Sequence, residues 1–473
     1  MFDVDRRGLL VGGSALATML ALGGCEKILD QIRNRPVRRD VATMASNDPI
    51  LEAYRDGISQ MQALGSGDPR SWTSQANTHL NFCPHGNWFF LPWHRAYLMS
   101  LEAIIRKLTG EASFALPYWN WSCNRAIPAP FWEAGSVLNH SPRDIGPSDQ
   151  ADVSIVGQGN LNTILAETDF ELFASGAATA LRGGGGFYGR LEGEPHNYIH
   201  GSFIGGTMAT FSSPLDPIFW LHHNILDYFW FDWNSAGNAN TNDTTWTNVS
   251  LSGMFVDGDG NPATYQVGAL ILAPLLSYRF EAPGSCFKFR QVDEAILKKF
   301  LEKGEPVEFR PQREFPSAAN GIRLAGARNR TSLKLPLEAT RASLAAEAKQ
   351  RLLLRIQDVA PPQADNFFVR VFVNLPANAA PDVGLDNYAG AFAFFSDPEH
   401  SHGPLNFYVD LSPAIERLQK KGELRADAQV EVTLALVPGT SQNAQKTFTA
   451  AALQIGALTP VLIERKPVPE PLR

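Results

Sequence analysis

HLNFCPHGNWFFLPWHRAYLMSLE, from His79 to Glu102, sets three histidines, His79, His85 and His94, in a segment crowded with Phe and Trp. Its second half has a helical pattern, with Tyr97, Leu98, Leu101, Ile104, Ile105 and Leu108 recurring on one face. A second group follows in PHNYIH (Pro195 to His200) and DPIFWLHHNILD (Asp216 to Asp227), which supply His196, His200 and His223. His196 and His200 are four apart, so on a helix they leave the same face and can share a metal. His94 and His223 fall in separate amphipathic helices, the second opened by Asp216-Pro217, a good helix start. Ile50 to Leu64 reads as a further helix, and helices of this kind bring ligands together in a bundle core.

The residue types narrow the metal. A zinc protease needs Glu within its His pair, where Asn197 stands here, and di-iron sites need inward carboxylates that neither group supplies. Blue copper would require Cys and usually an axial Met. Six neutral imidazoles in two sets of three suit a pair of copper ions, because imidazole serves copper in both oxidation states. Structural zinc is the competitor, although all-histidine sites among aromatics are uncommon in that role.

Two motifs go further. The first reads His85, Phe90, Leu91, Pro92, Trp93, His94, Arg95 and Glu102; the second reads Asp216, Pro217, Phe219, Trp220, His223 and Asp227. Both resemble, without a break, the signatures of tyrosinases, catechol oxidases and plant-type polyphenol oxidases, the type-3 copper enzymes. The resemblance implies two copper ions, one on His79, His85 and His94, the other on His196, His200 and His223. Of the adjacent pair it selects His223 and leaves His222 as a neighbour. Cys83, two residues before His85, matches members whose cysteine sulfur is joined covalently to a ligand ring, and Arg95 and Asp227 are expected to orient helices or rings.

The implied activity is oxidation of o-diphenols to o-quinones by dioxygen. Glu192 and Asn197 occupy positions at which relatives hold a water that deprotonates a monophenol, so monophenol hydroxylation is expected as well, with Glu194 a rival base. Thr210 or Phe211 falls where relatives shade the entrance, and Gly201 removes a side chain that often touches substrate. The runner-up is a catechol or o-aminophenol oxidase without the hydroxylase step. An oxygen carrier of haemocyanin type is the alternative from another class. His140, His400 and His402 receive no role.

Outward from these motifs, the 473-residue chain is 44% hydrophobic and only 19% charged, which excludes a disordered protein. Its formal charge of −7 argues against a nucleic-acid binder, which needs surplus Lys and Arg. Arg6-Arg7 before a Gly/Ala-rich apolar run, ended by Leu22-Gly23-Gly24-Cys25, reads as a twin-arginine export signal (1–25) with a lipobox. The mature protein is then expected in the periplasm, or anchored outside the cytoplasm through lipidated Cys25. Cys123 and Cys286 are free to pair or to remain thiols.

The expected organisation is a mainly α catalytic domain over 26–290, a four-helix bundle with long loops that holds the dinuclear centre. A basic linker over 291–350, with Lys298 to Arg330 as the protease-accessible part, leads to a C-terminal antiparallel β-sandwich over 351–473. Runs such as FFVRVFVNL (Phe367 to Leu375), AGAFAFFS (Ala389 to Ser396), LNFYVDL (Leu405 to Leu411) and VEVTLALV (Val430 to Val437) read as its strands. By resemblance to plant enzymes this domain covers the copper entrance and keeps the enzyme latent.

Overall fold

The computed structural model describes residues 35–281, 306–307, 309, 311–325, 330–345, 350–362, 366–395, 403–425, 428–440, 448 and 452–464. The export segment with Cys25, and Cys286, Lys298, His400 and His402, lie outside them.

Four long helices frame the first half. Helix α1 (Pro49–Ala63) starts where the Asp48 side chain accepts from Ile50 N, with Pro49 in the first turn. Helix α2 (Trp72–Phe82) is capped by Ser71, and α3 (Phe90–Thr109) ends at left-handed Gly110. Helix α4 (Ile218–Ser235) follows Asp216-Pro217 as expected, with Asp216 Oδ1 accepting from Ile218 N. Helix α3 packs against both α1 and α4. The approach of α1 is close enough that a Cβ on Gly57 would stand 2.8 Å from Ile105 Cγ2. Almost all of α4 is buried, which is why its sequence is apolar all round.

A charged knot ties these helices from behind. Arg38, wholly buried on the short strand β1 (Val37–Arg38), donates to Glu102 (2.8 Å) on α3 and to Asp227 (2.7 Å) and Asn224 on α4. Arg95 also meets Asp227, and the Arg38 guanidinium lies 3.5 Å over the Tyr278 ring. Two cations face two carboxylates, so the charges balance without water. Strands β2 (Ser250–Val256) and β3 (Pro262–Gln266) form a hairpin whose turn contains the Asp257–Asn261 stretch, and β1 pairs with β4 (Arg279–Phe280).

The second half is built from two sheets. One has the order β10 (Tyr388–Ala393), β9 (Phe367–Val373), β12 (Glu431–Pro438), β7 (Arg330–Lys334). The other runs β11 (Leu405–Asp410), β8 (Gln350–Val359), β13 (Ala452–Glu464), β5 (Pro311–Glu314), with β6 (Ala319–Ala325) also on β13. Much of the expected linker is therefore sheet: β5, β6, β7 and the helix α5 (Leu337–Ala345) all fall within 291–350. Their charged residues misled because they sit on strands with exposed faces. Pairing with the long β13 and with β12, which no local pattern reveals, makes them strands.

Strand β9 explains how the halves join. Phe367, Val369, Val371 and Val373 belong to the apolar cluster of the two sheets, while Phe368 belongs to the helical core. Ala391, Ala393 and Phe395 join that same helical core. The contact is tied by Ser202 Oγ to Phe367 O (2.9 Å) and Tyr188 N to Asn406 O (2.8 Å). Ion pairs Arg351–Glu167 (2.6 Å) and Arg370–Asp152 (2.9 Å) cross it too.

Candidate metal centre

The end of α2 contributes His79, the loop after it His85, and the first turns of α3 His94. His196 and His200 stand on a widened helix in which Glu192–His196 and Tyr198–Ile204 have π geometry, with Pro195 inside. Such widening is rare and concentrates at functional sites. Here it carries the expected pair, with the two rings 4.5 Å apart. Helix α4 brings in His222 and His223. Two metal-binding groupings result, His79/His85/His94 and His196/His200/His222/His223, every member buried.

The hydrogen bonds behind these rings fix their tautomers. His79 Nδ1 meets Phe211 O at 2.8 Å, His94 Nδ1 meets Phe90 O at 2.8 Å, and His200 Nδ1 meets Met208 O at 2.7 Å. A carbonyl accepts only, so each Nδ1 bears the proton and each Nε2 presents a lone pair. His196 Nδ1 is held by Asn197 Oδ1 at 2.9 Å. The Nε2 atoms of His79, His94 and His196 are buried with no hydrogen-bond partner, and those of His200 and His223 face each other at 3.3 Å. Buried imidazole nitrogens without partners, gathered in an apolar interior, suit a cation among them.

Burial keeps these rings neutral: it lowers His94 and His200 to about 3, and His79, His196 and His223 are also well below the ordinary value. His222 differs. Its Nδ1 accepts from Trp121 Nε1 at 3.2 Å, so its own proton sits on Nε2 and that nitrogen has no lone pair to offer.

The remaining site expectations find places around the triads. The Cys83 thiol is free, buried and 3.5 Å from His85 Nδ1. Glu192 is wholly buried, its carboxylate accepting from Gly86 N (2.9 Å) and the Ser175 hydroxyl; burial pushes its pKa well above the usual range. Glu194 turns instead to Arg190 (2.8 Å) and Asn160 (2.7 Å). Asn197 Nδ2 donates to Ala393 O at 3.0 Å, reaching the sheet half. The Phe211 ring stacks on His85 at 5.4 Å and 9°, whereas Thr210 Oγ1 is spent on Thr207 O. Gly201 is buried within the π segment, and His140 bonds Thr207 away from the triads. Cys123 is disulfide-bonded, with its partner outside the described residues.

Phe395 was not legible beforehand. Its ring lies 4.2 Å from His200, 4.9 Å from His85 and 5.7 Å from His196, and 5.3 Å from Phe211. In sequence it is one more apolar residue at the end of a strand, and no local signal marks it.

Two buried triads of neutral imidazole, free of carboxylate and carried mostly on helices, define a protein of the dinuclear copper class. The match to known families agrees. The common central domain of tyrosinase covers residues 68–164 and 149–236, and a domain of unknown function (DUF7868) covers 315–455. Residues 68–236 of this chain thus match the tyrosinase family model, and the cofactor is a pair of copper ions. A tyrosinase of Hahella sp. is 26% identical over 84% of this chain and 94% of its own length. The latent-form polyphenol oxidase of Prunus armeniaca is 30% identical over 47% of this chain, but only 44% of its own length is covered. The structure of latent apple tyrosinase shares the fold over 90% of this chain and 97% of its own, with a TM-score of 0.65 at 20% identity.

Proposed function

We propose that this protein is a copper-dependent polyphenol oxidase that converts o-diphenols to o-quinones with dioxygen and hydroxylates monophenols. The observation that carries the reading is the pair of triads, His79/His85/His94 and His196/His200/His223, with the Nε2 lone pairs of His79, His94 and His200 set by carbonyls behind the rings. Bound there, the two copper ions supply dioxygen binding and two-electron oxidation. The chain's own residues hold the imidazoles rigid, exclude water and admit an aromatic ring. Phe211, stacked on His85, is the side of the entrance against which such a ring would lie, and Gly201 leaves room beside His200.

Glu192 is assigned the proton from an incoming monophenol, received through a water shared with Asn197. Burial raises the proton affinity of the Glu192 carboxyl, so in its ionised form it is a stronger base than an exposed one. Cys83 is assigned a thioether to His85, which their 3.5 Å separation favours; the single tryptic peptide that carries both, Ser71 to Arg95, found two hydrogens lighter than its sequence mass would establish it. The finer architecture proposed is a four-helix bundle beneath a β-sandwich. Export through the twin-arginine signal, with acylation at Cys25, accords with the disulfide at Cys123, since such bonds persist in oxidising compartments.

Latency is proposed on the position of Phe395 beside the triads. The intact chain keeps that ring where a substrate ring would stand, and equal activity before and after limited trypsin treatment would dismiss the idea. Arg313, Arg323 and Arg330 lie on β5, β6 and β7, so cleavage at these points must first open a sheet.

The deciding experiment is copper content together with oxygen uptake on L-DOPA and tyrosine, for the wild type and Glu192→Gln. Two coppers, catechol turnover, and selective loss of the tyrosine rate in the variant are expected. A wild type that turns over L-DOPA but never tyrosine is a catechol oxidase. One that binds dioxygen reversibly and turns over neither is a carrier.

A further inference from the structure

Glu192 is wholly buried, and among the described residues no Arg or Lys is paired with it, so burial favours its neutral form. Two donors oppose that: Gly86 N reaches Oε1 at 2.9 Å, and the Ser175 hydroxyl reaches Oε2. The two are not equivalent. A backbone N–H only donates, so a proton placed on Oε1 towards Gly86 would meet another proton. A hydroxyl donates or accepts, so a proton on Oε2 finds a partner.

Ser175 has the surroundings to make that exchange. It is wholly buried too, and its Oγ accepts from Gly189 N at 3.1 Å and lies 2.5 Å from Ala174 O. One hydroxyl proton cannot serve Ala174 O and Glu192 Oε2 at once, while the two lone pairs of Oγ admit two donors. With Glu192 ionised, Ser175 donates to Oε2. With Glu192 protonated, the new Oε2–H donates to Oγ, and the Ser175 proton turns to Ala174 O. Gly189 N keeps its acceptor throughout, and neither state leaves the carboxyl or the hydroxyl without a partner, which in an interior would be costly.

We propose that Ser175 is a positioning residue whose hydroxyl turns between Glu192 Oε2 and Ala174 O as Glu192 takes up and returns a proton. As the O–H bond of a monophenol breaks, the proton passes through the water shared with Asn197 and a bond forms to Oε2. The electron pair stays on the phenolate oxygen, and nothing is oxidised in this step. Only one O–H bond rotates. The other ionisable groups that sense the Glu192 charge are the Tyr188 hydroxyl and the Cys83 thiol, which burial keeps neutral. The inference rests on the proton role given to Glu192 above and deepens it.

Two measurements test it. Difference infrared spectra of the full-length metal-free protein, taken as the pH is lowered, show the carbonyl stretch of each carboxyl that gains a proton, and Glu192→Gln identifies the Glu192 band. In Ser175→Ala that band should move to higher frequency, because the acid has lost its acceptor. It should also appear at higher pH, because the ionised form has lost a donor. In copper-matched enzyme, Ser175→Ala should lower the ratio of tyrosine to L-DOPA turnover by about tenfold or more and shift the acid limb of the tyrosine profile to higher pH. Ser175→Thr, which keeps the hydroxyl, should restore both. Ser175→Cys, a weaker donor of similar size, should fall between and serves if the extra methyl does not fit. A Glu192 band at the same frequency and pH in wild type and Ser175→Ala, or tyrosine and L-DOPA rates that fall together, overturns the assignment. A wild type that never hydroxylates tyrosine overturns the hydroxylation reading instead, and the infrared band still decides the pairing of Ser175 with Glu192.

Discussion

The ring of Phe395, carried by the sheet half, lies 4.2 Å from the imidazole of His200 in the helical half. Two halves with separate apolar cores thus meet at the metal centre. Replacing Phe395 by Ala should raise kcat/KM for a bulky catechol by about tenfold or more, equal to about 1.4 kcal/mol of barrier. Phe392→Ala is the control: it empties a comparable volume in the core between the sheets and should cost stability without raising turnover. Steady-state rates on freshly purified, copper-matched protein decide the matter.

Metal-free protein should lose stability as acid is added, and the sign follows from the histidines. His94 and His200 titrate near 3 when folded because burial disfavours their charged form, against 6.5 when unfolded. Above 6.5 neither state is protonated and no effect arises. Between about 6.5 and 3 the unfolded chain binds protons that the folded chain refuses, so stability falls by about 1.4 kcal/mol per pH unit for each such group. Urea melts across this window should show the slope, and His200→Gln should reduce it. A slope that His200→Gln leaves untouched would count against buried neutral rings.

Arg38 should prove indispensable to the fold. Its removal strands Glu102 and Asp227 in the interior beside Arg95, a change that typically costs about 3–5 kcal/mol. Arg38→Met should lower the melting temperature sharply, and Arg38→Lys should recover little, because one ammonium cannot copy the fork that spans α3 and α4. Circular dichroism melts of copper-matched samples measure both.

The pair Arg351–Glu167 should help to hold the sheet half over the metal. Burial raises the Glu167 pKa, yet Arg351 outweighs it and keeps the carboxyl below its usual range, so the pair stays charged at neutral pH. Glu167→Gln should loosen the interface, raise basal catechol oxidation severalfold and speed proteolysis, with copper content unchanged. If activity and proteolysis stay at the wild-type level, the closure depends on the apolar contacts alone.

The histidines that the structure gathers were legible because they fall in two dense motifs. Asp216-Pro217 announced α4, and the spacing of His196 and His200 announced a shared face. What spacing cannot convey is the π geometry that presents this pair, since one extra residue per turn leaves no mark on a short sequence. Strands β9 to β12 were visible as apolar runs. Strands β5 to β7 were not, because their exposed, charged faces look like linker until β13 and β12 supply their hydrogen bonds.

By itself, the order of residues determined the metal chemistry of this protein: histidines, not carboxylates or thiolates, at helical spacing in an apolar setting. Only the tertiary structure decided which nitrogen of His222 carries the proton, through Trp121, and which residue of the sheet half stands beside the triads, Phe395. Ligand identity is a property of side chains and survives in a string of letters. Tautomer and access depend on what packs from more than a hundred residues away, and that is set by the long-range burial of apolar surface between the two halves.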